Sequence, residues 1–433
     1  IGAAGGEAWP LTDVREGASA PEWSPDGTRL AFSSQVRAED DRQRDAPAAG
    51  APKSDVKVID RLKYRMDGEG YYDDRRRHLF VVPVRDQERG PARQLTFGDC
   101  NESQPAWSPD GRTLAFVSAR HDDRDYDNKS DVWTIAADES FAAPRRVTRT
   151  TGPCAGPVFS PDGRAIAYTG HDNAADSGPS TITGLWLVPA DGSAPPRNLV
   201  DGLDRPVGAG IGTDARYGTP ADRPVWTPDG RALLCLISDQ GDGPLLRVDA
   251  ATGEDTRVLD GRRQITNVSP SADGRRLALA ISTATIPADL FACDLDATGR
   301  ASNERRLTAS NAALFDEIAI GEHTKHTYRA ADGQALDAWV LTPPGFDPAR
   351  KYPLVVEIHG GPQALYGESF YLEFQLLAAR GYVVLYTNPR GGDGYGQKFI
   401  NALRHDWGGV DYRDVMAGVD WLIGQGYVDE RRM

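Results

Sequence analysis

The chain has 433 residues, 39% hydrophobic and 26% charged, an ordinary globular composition with room for about three domain-sized units. Its net charge of −14, from 63 acidic and 49 basic residues, argues against nucleic-acid binding, which draws on a basic surface to neutralise phosphate. No apolar run approaches the roughly 20 residues of a membrane-spanning helix, and the four cysteines show neither a zinc spacing nor a disulfide framework. Nucleic acid and membrane are therefore excluded as partners, and no cofactor is expected.

The chain opens at Ile1 without the basic-then-apolar pattern of a signal peptide, so a cytoplasmic location is expected. Ile1 to Thr12, ending AWPLT, reads as the tail of a truncated repeat unit. One phrase then recurs five times: PEWSPDGTRLAF, PAWSPDGRTLAF, PVFSPDGRAIAY, PVWTPDGRALLC and NVSPSADGRRLALA. Its aspartates are Asp26, Asp110, Asp162, Asp229 and Asp273, and their spacings of 84, 52, 67 and 44 residues imply variable loops between units.

Ser-Pro-Asp-Gly puts Pro second and Gly fourth, as a type I turn requires. After each Gly, large apolar residues stand at the third and fifth positions, as in Leu114 and Phe116, mostly with Ala between them. That alternation, apolar on both faces, predicts a strand buried on two sides. Two more strand phrases follow in each unit, for example DVWTIAA and then RRVTR. Three or four short strands per unit describe a propeller blade. Five blades and a partial one are read here, belonging to a propeller of seven when complete.

Between these phrases, Ala46 to Pro52 has the composition of a flexible loop. Arg75 to Arg77, directly after Asp73 and Asp74, reads as a solvated, salt-bridged turn. Arg120 to Asp131 offers clustered aspartates but lacks the Gly and Glu of a calcium loop, so an acidic hairpin loop is expected. Cys235 and Cys293 fall in apolar strand runs. Cys100 and Cys154 lie in loops, and their spacing does not decide whether they meet.

Past Phe315 the repeats stop. His326 to Leu341 predicts a hairpin turning at Asp332-Gly333, and PLVVEIHGGP a buried strand that breaks into glycines. Tyr371 to Gly381 has helical spacing with a Gly stop, GYVVLYTNPRGG is a second buried strand, and Asp411 to Ile423 is a helix with Val415, Val419 and Leu422 on one face. Alternation of apolar strands and helices predicts a parallel sheet covered on both sides.

A propeller of such repeats followed by His359-Gly360-Gly361-Pro362 and Asn388-Pro389-Arg390-Gly391-Gly392-Asp393-Gly394-Tyr395-Gly396 resembles the prolyl oligopeptidase family. Lys57 to Val82 and Trp407 to Leu422 are most similar to its acylaminoacyl-peptidase branch. The resemblance implies a β-propeller over 1–316 and the N-terminal part of an α/β-hydrolase domain over 317–433. It also implies a serine peptidase acting on short peptides through a Ser-His-Asp acyl-enzyme mechanism.

The nucleophile of that fold sits on a Gly-x-Ser-x-Gly elbow, which does not occur in these residues. The triad is accordingly expected beyond Met433, in a continuation of on the order of 200 residues. His359 is not the triad histidine. The Gly361 N–H is implied as one of two oxyanion donors, with Gly360 letting the backbone approach substrate. A bare sharp strand exit is the plainer reading of both glycines. Arg390 either contacts substrate or holds its loop through a carboxylate, and Tyr395 packs the loop. Expected partners are short peptides and further copies of the chain. A carboxypeptidase or dipeptidyl-peptidase of the same family, an esterase, and a non-catalytic propeller binding protein are the alternatives.

Overall fold

The computed structural model describes residues 7–44, 56–72, 74–84, 90–138, 142–174, 180–215, 223–296, 298–361 and 363–433. Ala46 to Pro52, Asp73 and Pro362 lie outside the described residues. The chain divides into two compact units, Ile1–Gly178 with Leu185–Asn198, and Pro179–Gly184 with Leu199–Met433.

Each of the five phrases lies in its own four-stranded antiparallel meander. In the second of these the strands are Glu102–Trp107, Thr113–Ser118, Asp131–Ala136 and Arg145–Arg146. Ser-Pro-Asp-Gly is the turn between the first two strands, and a side-chain lock closes it. In the first sheet the Gly27 N–H donates to the Ser24 carbonyl at 2.8 Å with Gly27 at φ +69°. The Ser24 hydroxyl donates to Asp26 at 2.6 Å, and Asp26 accepts the Thr28 N–H at 3.1 Å. The serine oxygen in turn accepts the Arg29 N–H at 2.9 Å. The Ser24 hydrogen bond holds the Asp26 carboxyl down at about 2. The same three side-chain bonds recur at the other four turns, with Thr227 replacing serine in the fourth.

The strand after each of the first four turns is buried on both faces, as its alternation predicts; in the fifth, Arg276–Thr283, Leu277, Leu279 and Ile281 are buried but Ala278 between them is exposed. Leu114 and Phe116 pack with Leu79, Val81 and Leu95 of the first sheet. Ala115 and Val117, between them in sequence, pack with Ile166, Tyr168 and Val188 of the third. In the second unit Leu277, Leu279 and Ile281 pack back onto Leu234, Leu236 and Leu245 in the same manner. The turns meet as well: a Cβ added at Gly111, Gly163 or Gly274 would lie 3.7, 3.6 or 3.4 Å from the Cδ of Pro25, Pro109 or Pro228 in the preceding turn.

Two expectations are corrected here. Arg75–Arg77 is not a solvated turn: it opens the nine-residue strand Arg75–Pro83, and Arg76 is buried at 6% exposure because its guanidinium reaches Asp99. The sheet after residue 317 is mixed, not parallel. Its order is Glu322–Arg329, Ala335–Thr342, Val383–Thr387, Leu354–Glu357, and only the last pair runs parallel. The first two strands form the predicted hairpin, which turns with Gly333 at φ +87°; so short a connection imposes antiparallel pairing. Both faces are nevertheless covered. Val419 and Leu422 of the helix Val410–Ile423 pack on one, and Phe374 and Ala378 of the helix Leu372–Ala379 on the other.

Within the second unit, the turn at 239–242 docks tightly on this sheet. Gly241 (φ +87°) accepts the Glu368 N–H at 2.8 Å, and the Gln240 N–H donates to the Gly394 carbonyl at 3.0 Å. Beneath Gly241 lies Trp339, which is fully buried. Its indole N–H donates to Glu368 at 3.0 Å, and its ring stacks on Tyr386 at 5.9 Å. Among the described residues all four cysteines are free.

Candidate active site

The strand Leu354–Glu357 runs parallel to Val383–Thr387, and ligand sites in α/β sheets gather at the carboxyl ends of such strands. Here that end is Ile358-His359-Gly360-Gly361. Gly361 has φ +142°, and a Cβ there would come within 2.7 Å of the Gln363 nitrogen, so only glycine fits. Gly360 and Gly361 are exposed, and among the described residues neither amide donates a hydrogen bond. Both glycines line a cavity of about 380 Å³, together with His359, Arg390, Trp407 and Tyr412.

The histidine ring packs edge-on against Tyr366 at 5.1 Å, and its Nδ1 lies 3.0 Å from the Gly360 carbonyl oxygen. An oxygen that can only accept requires the proton on Nδ1. Burial lowers the His359 pKa, and its buried Nε2 has no partner among the described residues. His359 is therefore a neutral ring that orients the glycine backbone.

The loop after Val383–Thr387 is the second wall. Fully buried Asn388 clamps Tyr366, accepting its N–H and donating to its carbonyl at 2.9 Å each. The Tyr395 hydroxyl donates to Asp337 at 3.0 Å and accepts from Asn388 at 3.1 Å. The Asp393 N–H donates to the Ala364 carbonyl at 3.0 Å, tying this loop to the glycine turn.

Arg390 reaches Asp414 through Nε at 2.8 Å, through Nη2 and through its own backbone N–H at 3.0 Å, and its Nη1 reaches Asp332. The guanidinium is thus engaged by two carboxylates while it edges the cavity. Reading the sequence missed Asp414, Asn388 and Tyr366. For Asp414 a signal existed: it stands four residues from both Val410 and Gly418, on the buried face of its helix, where a carboxylate needs a cationic partner.

Residues 368–433 match the "Prolyl oligopeptidase family". The chain is also 30% identical over 433 residues to "Uncharacterized peptidase YuxL" of Bacillus subtilis, covering 99% of this chain and 63% of that protein. The C-terminal segment of the chain thus matches the prolyl oligopeptidase family, and the whole chain is similar to a peptidase along nearly its entire length. Another relative is "Dipeptidyl-peptidase 5" of Porphyromonas gingivalis, 26% identical over 76% of this chain and 45% of that protein. A similar fold is seen in acylaminoacyl peptidase of Pyrococcus horikoshii, at TM-score 0.71 and 21% identity, over 97% of this chain and 58% of that one. It is seen again in a puromycin-hydrolyzing peptidase of Mycobacterium tuberculosis, at TM-score 0.62 and 22% identity, over 96% of this chain and 57% of that one. The chain thus spans under two thirds of the length of these relatives. The family match takes in Asn388, Arg390, Tyr395 and Asp414, the wall that holds the glycine turn in place.

Proposed function

We propose that the protein is a serine peptidase acting on short peptides, with Gly361 as the backbone donor that receives the oxyanion of a carbonyl under attack. The observation that carries this reading is the Gly361 amide, placed at the carboxyl end of a parallel strand, at the lip of a cavity, with no hydrogen bond among the described residues. Fixed amides stabilise developing negative charge without reorganising during the reaction, and loss of one donor costs about 10²–10³ in kcat. Gly360 lets substrate approach. Arg390 and Asp414 hold the opposite wall, which makes Arg390 a positioning residue. The neutral His359 fixes the Gly360 carbonyl. A serine nucleophile with its histidine and aspartate would complete the chemistry.

The five meanders are read as blades of a propeller that screens substrates by size. Acylaminoacyl-peptidase activity is the first substrate class, from the likeness of fold. Dipeptidyl-peptidase activity is the second, from the relatives that bear that name. The test is fluorophosphonate labelling of the natural full-length polypeptide, followed by turnover of N-acetyl peptides, free peptides and esters. A stoichiometric serine adduct with faster cleavage of acetylated peptides is expected. No adduct would overturn the peptidase reading, and preference for a free N-terminus would move it to the dipeptidyl class.

A further inference from the structure

Within the second unit, residues 204–214 lead into the fourth meander and are fixed to the meanders before they reach the candidate site. The Gly208 N–H donates to the Leu236 carbonyl at 2.8 Å, and Val207 bridges Ile237. The buried side chain of Gln264, in the fifth meander, donates to the Ile211 carbonyl at 2.8 Å. From that support the stretch meets the segment that carries the glycine turn. Ile211 bridges Leu365, and the Gly212 N–H donates to the Leu365 carbonyl at 2.8 Å. The Thr213 hydroxyl donates to the Phe370 carbonyl at 2.7 Å.

The stretch has an aspartate at each end, and each holds the helix that follows one wall of the cavity. Asp214 accepts the Leu372 N–H at 2.8 Å and the Glu373 N–H at 2.7 Å, at the start of the helix behind the glycine turn. Asp204 accepts the Gln397 N–H at 2.7 Å, where the loop 388–396 enters the helix Gln397–Asn401. Amides at a helix start need an acceptor from outside the helix ladder, and a carboxylate is favoured there. Neither helix supplies its own, since the preceding residues, Tyr371 and Gly396, make no side-chain capping bond. Gly396 makes room for the incoming carboxylate: a Cβ there would collide with Asp204. Gln397 returns the grip, accepting the Ile182 N–H at 2.9 Å and donating to the Ser180 carbonyl at 2.7 Å. Cohesion alone has no preference among surface amides, whereas these bonds fall on the two segments that shape the cavity.

We propose that Asp204 and Asp214 are positioning residues, which clamp the glycine turn and the loop 388–396 from the side of the meanders and so set the direction of the Gly361 N–H. The catalytic consequence rests on the peptidase reading; the clamp itself does not. A group displaced by about 1 Å from its productive place costs on the order of 10²-fold in rate, so partial loosening of one wall is expected to cost about tenfold.

The test uses the natural full-length polypeptide and two readouts. Hydrogen exchange followed by mass spectrometry decides the clamp. Asp214→Ala should speed exchange over residues 363–373, and Asp204→Ala over residues 388–397, each by about tenfold. Asp249→Ala removes a carboxylate that bonds Ala251 and Thr252 in its own turn, and should leave both segments as in wild type. Turnover decides the positioning role. Asp214→Ala should lower kcat about tenfold with KM unchanged, and Asp214→Asn, which keeps one accepting oxygen, should stay within about threefold of wild type. Unchanged exchange in both segments, or an equal increase with Asp249→Ala, would overturn the clamp whatever the activity. Unchanged kcat, or a loss confined to KM, would overturn the positioning role. A wild type that takes no fluorophosphonate and cleaves no peptide would sink the peptidase reading, and the exchange result would still decide the clamp.

Discussion

Gly241 and Gly333 share a backbone angle, φ +87°, but not their surroundings, and the pair isolates the energy of one packing contact. A Cβ at Gly333 meets nothing within 4 Å, whereas at Gly241 it would collide with Cζ2 of Trp339 and sit 2.7 Å from its Cη2 and 3.2 Å from the Cα of Gly367. Trp339 has no room to yield, since its indole is bonded to Glu368 and stacked on Tyr386. Gly333→Ala therefore carries only the left-handed backbone term, about 1–2 kcal/mol. Gly241→Ala adds overpacking of about 1–3 kcal/mol, for a total of roughly 2–5 kcal/mol. Equilibrium urea unfolding of the two variants beside wild type measures the difference directly. Equal losses would show that the turn at 239–242 yields freely and that its docking on the sheet contributes no stability.

Asp414→Ala should destabilise the protein by about 3 kcal/mol, because it strips a fully buried carboxylate from Arg390; a urea midpoint equal to wild type would contradict the pairing described. Burial pushes the Asp393 carboxyl up to about 6, so the folded state binds more protons than the unfolded state between about pH 4 and 6. Its contribution to stability is full below pH 4 and is lost as pH rises through 6. Wild type minus Asp393→Asn should accordingly fall by about 2 kcal/mol across that window in pH-resolved urea melts. Cys154 and Cys235, pushed up to about 12 by complete burial, should resist iodoacetamide at pH 8 in the native state, with mass spectrometry finding alkyl groups at Cys100 alone. Under the proposed function, Gly361→Ala should cut peptidase kcat by roughly 10²–10³ with little change in KM; a loss confined to KM would remove the oxyanion role.

The repeating sheets were legible because their information is local. Ser24 and Asp26, or Ser108 and Asp110, stand two residues apart and close their own turn, and the alternation of Leu114, Ala115 and Phe116 carries the two-sided burial. The hairpin at Gly333, both helices and the glycine strand exit were readable on the same grounds. The strand of Arg75–Arg77 was not, because a basic triplet reads as solvent-facing until Asp99, 23 residues away from Arg76, is seen to meet it. Nor was the mixed character of the last sheet, which depends on the hairpin lying beside Val383–Thr387. At the candidate site, the glycine pair is visible in the sequence as a break in an apolar strand. Asn388 and Asp414 are not visible there, since each works through partners more than 20 residues distant.

The packing of the meanders has a direction. At the three joints seen inside the two units, the strand after the turn offers its bulky residues to the sheet before it, and the proline of one turn meets the glycine of the next. Each of these three joints is consequently built from the same two unlike halves, as a row of identical plugs and sockets would be. A whole unit duplicated or lost in evolution leaves a plug facing a socket at the new seam, so copy number can drift while the joints keep their chemistry. Exchange of a single strand between units breaks the match on two sides at once.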